Sequence, residues 1–166
     1  MTRAPARNRP EGRRPPTGLP RLLAGYRPDA SMTIEDHVRQ YGTPPWRGAA
    51  RHRHAGPLIK SLDAAGLRGR GGAAFPTARK MRAVVHSRGR PVVVVNGSEG
   101  EPLSAKDHLL LASLPHLVLD GAALAAEAVG ASEVIVAVDR DTRRSLASVA
   151  YAIAAREAAR LDPVPM

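Results

Sequence analysis

The 166-residue chain carries a net charge of +10, with 43% apolar residues, 3% aromatics and no cysteine. That length suits one domain whose modest core must be built from Ala, Val, Leu and Ile. The cysteine count excludes disulfides, Cys-type zinc fingers, a thiol nucleophile and any Cys-ligated iron–sulfur cluster within these residues.

The first third is basic and proline-rich. Residues 1–56 hold eleven arginines against four acids, and residues 57–166 hold fourteen Lys and Arg against eleven acids. Proline removes backbone donors and biases the preceding residue away from helix. Too few apolar residues recur there to offset the entropy of ordering. Residues 1–30 therefore read as a disordered basic tail, and 31–56 as an irregular extension. Such a tail could meet nucleic acid through phosphates, but a solvated charge run is the commoner case, and nucleic acid is not expected as a partner. Within the extension, residues 31–38 predict a short helix capped by Ser31 or Thr33, with Glu35 and Asp36 in its first turn. The run Arg51-His52-Arg53-His54 is a poor cation ligand because its arginines repel a metal, so no metal site is expected.

From residue 57 the pattern alternates helix and strand. Residues 57–65 predict a helix opened by Pro57, and 78–88 a second. Residues 91–96 form a β-branched run, the mark of a strand covered on both faces. Residues 104–114 predict a helix capped by Ser104. Residues 115–129 predict another, opened by Pro115 and closed by Gly130. Residues 133–139 read as a second buried strand, and 142–161 as a last helix. Two buried strands joined through helices imply a parallel sheet. The class is α/β: a Rossmann-like three-layer module with a short parallel sheet over 57–166, incomplete at its C-terminal end.

Two loops carry the chemistry. The first, 66–77, reads Gly66-Leu-Arg-Gly-Arg-Gly-Gly-Ala-Ala-Phe-Pro-Thr77. Glycines let backbone N–H groups approach a phosphate, Arg68 and Arg70 add charge, and the next helix points its N-terminus at the loop. Lys80 could reach an anion there. Phe75, the single Phe, could stack on a flat cofactor or pack in the core, and the loop itself could be a plain connector. The second loop follows the first strand: Asn96-Gly-Ser98-Glu99-Gly-Glu101-Pro102. In α/β folds ligands bind beyond the carboxyl ends of strands. Its acceptors suit ribose hydroxyls or an amide. No Ser/His/Asp set has usable spacing, no catalytic residue is assigned, and His86, His108 and His116 read as helix-surface residues.

Taken together, residues 66–77, Lys80, 92–102 and Lys106-Asp107 resemble the flavin-binding part of the 51 kDa subunit of respiratory NADH dehydrogenase. The module also occurs in NAD-linked hydrogenases and formate dehydrogenases, and the resemblance extends over about residues 57–140. It implies FMN as cofactor, NADH as hydride donor and an iron–sulfur protein subunit as electron acceptor. It also implies roles. Gly69, Arg70, Gly71 and Gly72 would line the FMN phosphate and ribityl chain, with Lys80 on the flavin side. Asn96, Ser98 and Glu99 would meet the ring or ribityl groups, and Phe75 and Glu101 would hold NADH. The chain departs from the family at Ala74 (usually Gly), Ser98 (usually Asp), Met81 (often Trp), Ala83 (where a second aromatic can grip the dinucleotide) and His108 (usually Arg). The other reading is a non-catalytic remnant or partner-binding domain that keeps the fold. No apolar run approaches ~20 residues and no secretory signal is evident, so a cytoplasmic place is expected, at most peripheral to a membrane complex.

Overall fold

Thr33 opens the first helix, α1 (Ile34–Tyr41), by accepting a hydrogen bond from the Asp36 N–H at 3.2 Å. Glu35 and Asp36 lie in its first turn, where the helix dipole favours acids. The computed structural model describes residues 21–42, 55–70, 73–101 and 103–166. The expected tail up to residue 20 and the Arg51–His54 run lie outside these. Residues 21–30, assigned to the tail by composition, include a 3-10 turn at Arg21–Leu23, and the Tyr41 hydroxyl donates to the Ala24 carbonyl at 2.7 Å.

The helices α2 (Ala55–Ala64) and α3 (Thr77–Val85) pack together and against α5 (Pro115–Val129). Ile59, Ala78 and Ala128 form the buried centre of that contact. Helix α5 follows its sequence signals at both ends. Pro115 sits in its first turn, and Gly130 closes it in the left-handed conformation at φ 67°. Helix α4 (Lys106–Ser113) begins one residue later than a cap at Ser104 implies. Ala105 stands in the cap position, and Ser104 Oγ accepts the Lys106 N–H at 3.4 Å.

Strands β1 (Val93–Gly97) and β2 (Val134–Val138) pair in parallel, Val93 opposite Val134 and Gly97 opposite Val138. Val93, Val95, Val134 and Val136 face α5, packing on Ala122, Ala126 and Ala131. The small alanines let the helix lie close to the sheet. The continuous β-branched runs predicted cover on both faces. Here the second face is open: Val94 is 61% and Ile135 48% exposed. The register explains this, because residues 94 and 135 share a face that no described helix covers. Helix α6 (Arg143–Ala158) packs mainly on α4 and α5, and the chain then turns back so that the Pro165 carbonyl accepts the Val134 N–H at 2.9 Å. Among the described residues no single helix is long and apolar enough to cross a membrane.

Candidate functional site

The glycine-rich loop closes on itself. Arg68 and Pro76 form an antiparallel bridge, the Gly69 N–H donates to the Phe75 carbonyl at 3.0 Å, and the Thr77 N–H donates to the Leu67 carbonyl at 2.9 Å. These bonds bring residues 67–69 against 75–77, directly before α3. Gly71 and Gly72 lie outside the described residues, so their expected role has no geometry here. Helix α3 starts at Pro76 with no side-chain cap and no acid in its first turn. The Thr77 N–H is taken by the Leu67 carbonyl, which leaves those of Ala78 and Arg79 to meet an anion. Arg79 and Lys80 follow, 5.6 and 5.8 Å from the centroid of the Phe75 ring. That ring is 38% exposed, so Phe75 presents a face to solvent rather than filling the core. The cations beside it add attraction of the cation–π kind.

Ala74 stands in this loop at φ 43°. A side chain there strains the backbone by about 1 kcal/mol. This is the position at which the resembled family usually has Gly. Ala74→Gly is expected to raise stability by up to about 1 kcal/mol, the relief partly offset by the greater freedom of Gly in the unfolded chain. A urea-unfolding midpoint that falls instead would show that the strain is not there.

The second loop begins where β1 ends. The Asn96 side-chain oxygen accepts the Ser98 N–H at 3.2 Å, and the Ser104 N–H donates to the Glu101 carbonyl at 2.9 Å. Lys106 Nζ donates to Glu99 at 2.9 Å and to Asp107 at 3.0 Å, and the Asp107 N–H donates to Glu99 Oε2 at 2.7 Å. The hydrogen bonds from Lys106 and the Asp107 N–H, in that order, lower the Glu99 pKa to about 2. Glu101 is exposed.

The structure therefore gathers the predicted residues into two groups. One holds Gly69, Arg70, Phe75 and Lys80; the other holds Asn96, Ser98, Glu99 and Glu101. No hydrogen bond or ion pair among the described residues joins the two, but α3 and β1, which carry them, both pack on α5. No cluster of three or more His, Asp or Glu among the described residues is placed to hold a metal.

Sequence reasoning missed a buried ionic network behind α5. Arg156, fully buried, donates to Asp162 through Nε (2.8 Å) and Nη2 (2.5 Å) and lies 2.9 Å from Asp120. His37 of α1 pairs with Asp120 at 2.7 Å, and its ring lies 5.5 Å from that of His116. His116 is fully buried, correcting its expected place on the helix surface. A signal was present: His116, Leu119, Ala123 and Ala126 share one face of α5, and all are buried. His86 is exposed and caps α3, its Nδ1 on the Arg82 carbonyl. His108 is half-buried.

Residues 62–165 match the family described as the Nuo51 FMN-binding domain. An NADH-quinone oxidoreductase subunit of Streptomyces coelicolor is 35% identical over 120 residues, 70% of this chain and 26% of that one. Its counterpart in Aquifex aeolicus is 37% identical over 79 residues, 48% of this chain and 18% of that one. An NAD+-reducing [NiFe]-hydrogenase in the air-oxidised state superposes with a TM-score of 0.56 at 31% identity, covering 69% of this chain and 22% of the other. Its H2-reduced form gives 0.59 at 27% identity, over 77% of this chain and 23% of the other. The chain thus spans about a fifth to a quarter of these relatives' length. With both loops and the helices that carry them inside the matched span, the chain belongs to the Nuo51 FMN-binding domain family.

Proposed function

We propose that this chain is the FMN-holding module of an NADH-oxidising assembly, receiving a hydride from NADH and passing electrons to a separate iron–sulfur chain. The observation that carries the reading is the closed glycine loop leading into an uncapped, acid-free α3 start, with the exposed Phe75 ring beside Arg79 and Lys80. That donor set fits the phosphate of FMN: backbone N–H groups with Arg79 and Lys80. Gly69 and Arg70, with Gly71 and Gly72, would hold the phosphate and ribityl chain, and Lys80 the flavin side. Asn96, Ser98 and Glu99 would meet the ring or ribityl groups, and Phe75 and Glu101 would hold NADH. Bound FMN supplies the hydride-acceptor chemistry, so the side chains bind and orient and none need act as nucleophile or general acid. These residues hold no cysteine, so no Cys-ligated cluster sits among them. Its similarity to the NADH-quinone oxidoreductase relatives supports a place at the periphery of a membrane complex.

Ala74 in the left-handed region of the phosphate loop favours a second reading, a fold-retaining member without redox activity. One titration separates them: FMN is added to the purified protein and followed by flavin fluorescence, then NADH is added without oxygen. Saturable binding followed by bleaching supports the oxidoreductase module. A folded protein that takes up no FMN leaves the second reading. In a flavin-binding protein, Glu101→Gln is expected to weaken NADH about tenfold, the scale of one lost charged hydrogen bond. FMN affinity should change by less than about twofold, since the lost bond is to the dinucleotide. Equal losses in both would remove Glu101 from the NADH site.

A further inference from the structure

We propose that Glu99 is a positioning residue: it shapes the loop after β1 by capping α4 from seven residues upstream, rather than contacting the ligand. The inference rests on the proposed function and reassigns one residue within it. Helix α4 has Ala105 in its cap position, whose side chain accepts nothing, and the neighbouring Ser104 Oγ reaches only the Lys106 N–H, at 3.4 Å. Glu99 supplies what is missing. One carboxylate oxygen takes the Asp107 N–H at 2.7 Å and the other takes Lys106 Nζ at 2.9 Å. Both oxygens are thus engaged, and the Glu99 side chain is only 4% exposed while that of Lys106 is 59% exposed. A carboxylate at a helix N-terminus also gains from the dipole. Turning Glu99 toward a ligand would uncap α4 and leave Lys106 without its main partner.

The consequence is a division of labour within 96–105. The Asn96 side chain is exposed, and its oxygen accepts the Ser98 N–H and helps hold the turn. The loop's side chains left facing solvent include Ser98 and Glu101. Lys106 neutralises the Glu99 charge, so the loop presents one acid to a ligand instead of two.

The test uses the full chain, first without flavin. Amide hydrogen exchange at Asp107 is measured by NMR in wild type, Glu99→Ala and Glu99→Gln. A side-chain amide can still accept the Asp107 N–H, whereas alanine cannot. Exchange about tenfold faster in Glu99→Ala, and within about threefold of wild type in Glu99→Gln, is expected from loss or retention of one cap bond. FMN affinity should follow the same order, with Ala lowering it about tenfold and Gln by less than about threefold. Adding Lys106→Met to Glu99→Ala should lower FMN affinity by less than about threefold more, since Lys106 then loses only its exposed pair with Asp107. Unchanged Asp107 exchange in Glu99→Ala overturns the proposal. So does a Gln variant that keeps Asp107 protected yet loses as much FMN affinity as Ala, the result of direct contact. Should wild type take up no flavin, the proposed function falls, and the exchange arm alone decides whether Glu99 holds the loop.

Discussion

Arg156→Met should unfold at a markedly lower urea concentration than wild type, with a loss of about 3–5 kcal/mol. Arg156 is fully buried, yet its guanidinium serves three acceptors on two elements: Asp162 after α6, and Asp120 and the His116 carbonyl on α5. Burial alone lowers its pKa, but the Asp162 and Asp120 carboxylates more than offset this and leave it raised. Methionine fills much of the volume and supplies no donor. The Asp120 and Asp162 carboxylates, 18% and 10% exposed, would then be left without their guanidinium in a poorly solvated site. Most of the loss comes from these stranded acids and not from the pair's own worth. Arg156→Met combined with Asp120→Asn and Asp162→Asn should therefore recover much of it. A single variant that unfolds within about 1 kcal/mol of wild type would show that water reaches the carboxylates.

What could be read from the sequence divides along physical lines. Helix α5 was legible to the residue because Pro115 and Gly130 act locally, one by fixing φ and removing a donor, the other by entering the left-handed region. The strands were legible as β-branched runs, and their pairing followed from the helices between them. Their exposure was not, because cover on the second face is a property of neighbours and not of the run. The two loops were legible as candidate ligand sites, since glycine spacing and a strand's carboxyl end are both sequence features. The inward turn of Glu99 was not, because it depends on Ala105 leaving the Asp107 N–H without a local acceptor. The network of His37, Asp120, Arg156 and Asp162 was least legible. His37 and Asp120 lie 83 residues apart, and nothing periodic joins them.

Acid should weaken this protein through His116. The imidazole lies buried with neither ring nitrogen bonded, and its pKa is held down to about 4 from 6.5. Burial is the largest cause, followed by the charges of Arg156 and His37, with Asp120 and Glu35 opposing. Because the folded value lies below the unfolded one, the unfolded chain binds the proton first as pH falls. Stability from this group is then full above about pH 6.5 and declines toward pH 4, by about 3 kcal/mol in all. His116→Phe keeps a buried ring and removes the titration. Its unfolding free energy, measured from pH 7 to 4, should fall less steeply than that of wild type by about that amount. Parallel curves for the two proteins would mean that the His116 proton is not excluded. Asp120 links this titration to the N-terminal helix. It holds His37 of α1 as well as Arg156, so a charge arriving on His116 acts on both partners. Helix α1 is otherwise tied to this face by the Ser31–Ser148 hydroxyl pair and the Met32 N–H on the Ser113 carbonyl. Its amides should accordingly lose protection at a higher pH than those of α5 in wild type, and the difference should vanish in His116→Phe.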